Sequence, residues 1–140
     1  MNNEQVEFKP QKEFPYYNQY KQKFQITEHT IFVYKNKIYS NKTEEDWKEY
    51  YDVLHHELEH IRSQNEIGPE NWIQQFLNNK EFRVNEEKRA YLYQLKKVKE
   101  LGDKTDLMNI FTEVCQNISS DLYGKMISYR EAEKYFKENI

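Results

Sequence analysis

The stretch TEEDWKEYYDVLHHELEHIRSQ, residues 43–64, decides how this chain is read. Thr43 with Asp46 three residues later has the form of a capping box in which Asp stands for the usual Glu. No Gly or Pro follows, so a single long helix is expected to run to about Gln64. At about 100° per residue, Trp47, Tyr51, Leu54, Leu58 and Ile61 share a narrow arc, whereas His56, His60 and Val53 lie opposite, with Glu57 beside them. The first face should pack on a core and the second should look into a cleft. Between them, Asp52, His55, Glu59, Arg62 and Ser63 are left for solvent.

Residues four apart on a helix stand one turn apart on the same side. His56 and His60 can therefore offer imidazole nitrogens to one metal ion at about 2.0–2.1 Å. Glu57 lies too far round the helix to coordinate comfortably with both and suits the part of general base toward metal-activated water. A catalytic site needs a third protein ligand and an open position. In residues 84–101, Glu87, Ala90, Tyr91, Gln94, Val98 and Leu101 follow helical spacing, which points Glu87 inward beside a mostly apolar stripe. Glu86 shares a face with Tyr93 and Lys97, nearer solvent. Glu87 is thus the better third ligand, and small Ala90 leaves room for the two helices to approach.

Working outward from the central helix, Thr30 to Tyr34, a polar Lys35-Asn36-Lys37 turn, then Ile38 and Tyr39 read as a β-hairpin. Gln25 to Thr27 offers a further short strand. Pro15 starts a short helix with Tyr17, Tyr20 and Phe24 on one face. Residues 1–12 are polar and without sustained periodicity and read as a flexible arm, leaving 13–140 as a single domain. After Gly68 and Pro69, a short helix carries Trp72, Ile73, Phe76 and Leu77, which read as core. Another runs from about Val84 to Leu101 and closes at Gly102, read as a left-handed cap. Further helices follow from Thr105 to Ile118 and, behind a Ser128/Glu131 capping box, to the end. The expected fold is α+β and mainly helical, with a small hairpin or short sheet ahead of the metal-binding helix.

His56-Glu57-x-x-His60 followed by a helix bearing Glu87-x-x-Ala90 resembles the gluzincin group of metallopeptidases, especially its small free-standing forms. The resemblance covers roughly residues 30–101. It implies a zincin-like domain with one Zn²⁺ per chain on His56, His60 and Glu87, and Glu57 as base. It also implies a strand of the preceding β-element that lines the cleft and pairs with a protein or peptide substrate in extended conformation. Similar enzymes stabilise the oxyanion with a Tyr, His or Arg; Tyr91 and Tyr93 are the candidates here. Thermolysin-like members carry an acidic residue four positions after the glutamate ligand, where this chain has Tyr91, so the residues bracing its histidines are unassigned. A metallopeptidase is therefore the leading expectation. A zincin-fold binding or regulatory module with little catalysis and a zinc amidohydrolase acting on non-protein amides are the alternatives.

The remaining features narrow the class further. Of the 140 residues 16% are aromatic, including 12 Tyr and 8 Phe, which argues for a folded, aromatic-rich core. The net charge of -3 is spread along the chain, so no basic stripe suggests nucleic acid as a partner. The single Cys115 cannot form an internal disulfide and reads as a core thiol. With no apolar run of signal-peptide or membrane-spanning type, a cytoplasmic protein without a membrane partner is expected. His55 and Glu59 read as a surface pair, and His29 as polar surface.

Overall fold

Lys35 and Asn36 both take positive φ, 51° and 63°. That left-handed pair matches the twist of a two-residue hairpin turn, and Asn tolerates it well. The turn joins β2 (Phe32–Tyr34) to β3 (Lys37–Ser40) in antiparallel register, Val33 opposite Ile38, as the sequence leads one to expect. The computed structural model describes residues 6–120 and 126–140. Residues 1–5 of the expected arm lie outside that range, and residues 6–12 lie within it. Glu7–Pro10 forms β1, parallel to β3, giving the sheet order β1-β3-β2. A four-residue strand ending in Pro10 has too little alternation to betray itself, and its pairing depends on a distant partner. A 3-10 turn, Gln11–Glu13, follows. Buried Gln11 donates to the carbonyls of Thr27 and Thr30, each at 2.8 Å, which ties down the Gln25–Thr27 segment as a loop rather than the expected strand.

Among the described residues there are seven α-helices: α1 (Tyr17–Lys23), α2 (Glu44–Glu49), α3 (Tyr51–Ile67), α4 (Pro69–Asn78), α5 (Lys80–Leu101), α6 (Lys104–Ile118) and α7 (Tyr129–Asn139). The protein is thus α+β and mainly helical. The capping boxes Thr43/Asp46 and Ser128/Glu131 form as read, and Asp103/Asp106 adds a third. One expectation fails at Tyr50, whose ψ of 48° divides the long helix into α2 and α3. The break sets Asp52 in the first turn of α3, where free backbone N–H groups and the positive end of the helix dipole favour a carboxylate. Gly68, at φ 95°, supplies the sharp passage from α3 to α4. Gly102 is extended rather than left-handed; a Cβ there would come within 3.0 Å of the Val98 carbonyl, so close approach is what it provides.

Three apolar clusters hold these elements together. Phe14, Tyr20, Phe32, Tyr34 and Tyr39 join Trp72, Ile73, Phe76 and Leu77 of α4. Tyr91, Leu95, Val114, Cys115, Ile118 and Phe136 bind α5, α6 and α7, which confirms Cys115 as a core residue. Val33, Ile38, Trp47 and Ile61 fix α2 and α3 under the sheet, with Leu54 and Leu58 only half-buried against them. Helix α5 packs against α3, α4 and α6. Among the described residues, no helix is long and apolar enough to cross a membrane.

Candidate metal centre

The buried face of α3 is polar. Asp52, His56, Glu57, His60, Ser63 and Gln64 are all buried along it beside Ile61. His56, Glu57 and His60 each present one ligand atom within 4.8 Å of the others, a cluster that can hold a metal ion. Glu87 enters from α5, at 2% exposure. Its Oε1 lies 2.6 Å from His60 Nε2 and its Oε2 3.5 Å from His56 Nε2, while Glu57 Oε1 stands 3.7 Å from His56 Nε2. The inward assignment of Glu87 is therefore observed. Glu87 Oε2 is buried and makes no hydrogen bond among the described residues, so a carboxylate oxygen with acceptor capacity stands beside the two imidazole nitrogens. That donor set could hold a metal ion.

The local charges are strongly coupled. Burial pushes the Glu57 carboxyl above its ordinary value, the neighbouring imidazoles only partly opposing it. Burial would also raise Glu87 and depress His60. Their mutual charge and hydrogen bond overcome both tendencies, leaving Glu87 well below the usual carboxylate range and His60 above the usual imidazole one.

Two bracing systems stand behind the histidines, and the sequence reading missed most of both. Asp52 and Ser63, read as solvent-facing, are buried. Gln94 Nε2 donates to Asp52 Oδ2 at 2.8 Å, which turns Gln94 Oε1 toward His56 Nδ1 at 3.1 Å. An amide oxygen only accepts, so His56 Nδ1 is the nitrogen that donates to it, and Nε2 is the nitrogen turned toward Glu87 and Glu57. Glu86, read as nearer solvent, is only 4% exposed. It accepts from Trp72 Nε1 at 2.7 Å, from Ser63 Oγ at 3.0 Å and from the Arg89 guanidinium, and its Oε1 lies 3.6 Å from His60 Nδ1. Helical periodicity could not find it, because α5 has neighbours on several sides and no single solvent face.

A cavity of about 640 Å³ opens onto this centre. His56, Glu57, His60, Glu87, Tyr91 and Gln94 line one side of it, and Tyr20, Phe24, Phe76, Ile31, Ile110 and Val114 line much of the rest. Trp72 and Phe76, core residues as expected, also wall His60, with ring centroids 5.4 and 6.4 Å from its imidazole. Tyr91 is buried with its ring edge-on to His56 at 4.3 Å, whereas Tyr93 is 37% exposed and packs on His55, away from the cavity. Tyr20, read from the sequence only as part of the packed face of a short helix, also lines the cavity; burial and the Glu87 charge push its hydroxyl pKa up, so it stays protonated. His55 and Glu59 do not pair, since Glu59 binds Arg62 and Arg89 instead. His29 is an exposed residue beside Glu28. Comparison with protein-family models, with curated proteins and with solved structures finds no match to this chain.

Proposed function

We propose that this chain is a zinc-dependent metallopeptidase of gluzincin type, with a zincin-like fold and zinc held by His56, His60 and Glu87. The observation that carries the reading is the convergence of two buried imidazoles and two buried carboxylates, Glu57 and Glu87, on one wall of a cavity large enough for several residues of substrate. Bound zinc would activate water and polarise the scissile carbonyl. Glu57, whose pKa burial raises, would take the proton from water as the water's oxygen joins the carbonyl carbon. As the C–N bond breaks, the same carboxyl delivers that proton to the leaving nitrogen. Tyr91, whose ring stands against His56 and which lines the cavity, would be the candidate to stabilise the developing oxyanion.

One observation favours a second reading, a zinc amidohydrolase acting on a compact non-protein amide. Gln64 Nε2 donates to the Val33 carbonyl at 2.7 Å and its Oε1 accepts from Lys35 N at 3.3 Å. Helix α3 thus already engages β2 near its turn, and an extended peptide would have to pair ahead of Val33, around Ile31.

Purified protein is expected to carry close to one zinc per chain by plasma mass spectrometry, with His56→Ala and His60→Ala losing it. Glu57→Gln should retain zinc and lose hydrolysis of a peptide library. Wild-type protein that takes up no zinc would overturn the metal centre. Zinc-loaded protein that cuts small amides but no peptide would select the second reading.

A further inference from the structure

We propose that Glu86 is the positioning residue that fixes His60 for metal binding, a role resting on the reading of His60 as a ligand through Nε2. The observations are geometric. His60 Nε2 faces Glu87 at the centre, so a ligating Nε2 must present its lone pair there and the ring proton must sit on Nδ1. Nδ1 is buried and has no hydrogen-bond partner among the described residues. Glu86 Oε1, 3.6 Å away, is the carboxylate oxygen that faces it, and a shift of about half an ångström brings the pair within ordinary hydrogen-bond reach.

Glu86 is itself held from three directions. The Trp72 indole reaches it from α4, the Ser63 hydroxyl from α3, and the Arg89 guanidinium from one turn further along α5. Arg89 also binds Glu59, which in turn holds Arg62, so the carboxylate is tied to an ion-paired surface row. The three donors offset the cost of burying this carboxylate and hold it in one position. His56 and His60 are thus braced by different chemistry: a neutral amide backed by Asp52 for the first, a carboxylate for the second.

The test uses the full-length protein with zinc alone as probe. Zinc affinity is measured by competition with a chromophoric chelator, and the His60 ring nitrogens are read by two-dimensional nitrogen-15 NMR. In zinc-loaded wild type, His60 should show a protonated, slowly exchanging Nδ1 and a metal-bound Nε2. Glu86→Gln should weaken zinc binding about 10- to 100-fold and move the Nδ1–H resonance upfield, while thermal unfolding stays cooperative. Glu86→Asp should recover part of the affinity. Unchanged affinity in Glu86→Gln overturns the proposal, as does a wild-type spectrum in which Nδ1 is the metal-bound nitrogen; the second result needs no variant to fold. Wild type that takes up no zinc removes the metal centre itself, a separate outcome that takes this role with it.

Discussion

The two tryptophans offer a matched pair for measuring what the Glu86 network contributes. Trp72 and Trp47 are both buried, 3% and 7% exposed, so replacing either by Phe removes the same atoms from similar surroundings. They differ in the indole N–H. That of Trp72 donates to Glu86 at 2.7 Å, whereas that of Trp47 is buried with no partner among the described residues. The area and cavity terms of Trp72→Phe and Trp47→Phe largely cancel. What remains is one hydrogen bond to a charged acceptor, about 1.5–3 kcal/mol, and the release of an unsatisfied donor in Trp47→Phe widens the gap. With an unfolding entropy of about 2.1 cal/mol/K per residue over 140 residues, Trp72→Phe should melt about 5–10 °C below Trp47→Phe. Urea and thermal unfolding followed by far-ultraviolet circular dichroism give both values. In a Glu86→Gln background the gap should contract, because a neutral amide oxygen is the weaker acceptor. If Trp47→Phe proves as costly as Trp72→Phe, the Glu86 network is not the anchor inferred here.

Two further outcomes test the scaffold. Ile61, fully buried next to His60 and packed on Val33 and Ile38, should lose about 2–5 kcal/mol on Ile61→Ala in urea denaturation; a loss below about 1 kcal/mol would contradict the packing of α3 under the sheet. Glu70 accepts from the Tyr16 and Tyr34 hydroxyls and lies 3.5 Å from Lys35, and the Tyr16 bond above all holds its pKa below the ordinary carboxylate value. A depressed folded pKa adds stability that is fully present above the unfolded value, about 4.3, and is lost as pH falls through the folded one. Glu70→Gln should therefore flatten the stability profile on its acid side, and parallel acid limbs for the two proteins would exclude the linkage.

What was legible in the sequence followed from local rules. The hairpin turn at Lys35-Asn36, the Thr43 and Ser128 caps and the inward Glu87 all depend on spacing within a few residues. What was hidden depends on partners far along the chain. β1 exists because β3 has a free edge, which nothing in Glu7–Pro10 announces. The break at Tyr50 involves neither Gly nor Pro and serves a buried Asp52–Gln94 bond 42 residues apart. Glu86 was assigned to solvent by a one-sided view of α5, yet α5 meets α3, α4 and α6, so its polar residues are read correctly only when the helices around it are known.

The character of α3 itself argues that this arrangement is functional. A helix shaped by packing alone turns its leucines inward and its charges outward. Here Leu54 and Leu58 are left half-buried, while Asp52, His56, Glu57, His60, Ser63 and Gln64 occupy the interior. Each such group is expensive to bury without a partner. The structure supplies those partners away from the centre: Gln94 for Asp52 and for His56 Nδ1, Glu86 for Ser63, the Val33 carbonyl for Gln64. Three buried polar atoms have no hydrogen-bond partner among the described residues: Trp47 Nε1 away from the cluster, His60 Nδ1, which faces Glu86, and Glu87 Oε2, which faces His56 Nε2. His56, Glu57 and His60 come together as a cluster that could hold a metal ion, and Glu87 Oε2 is the unpartnered carboxylate oxygen beside it. The proposed zinc chemistry starts from that convergence more than from the five-residue motif.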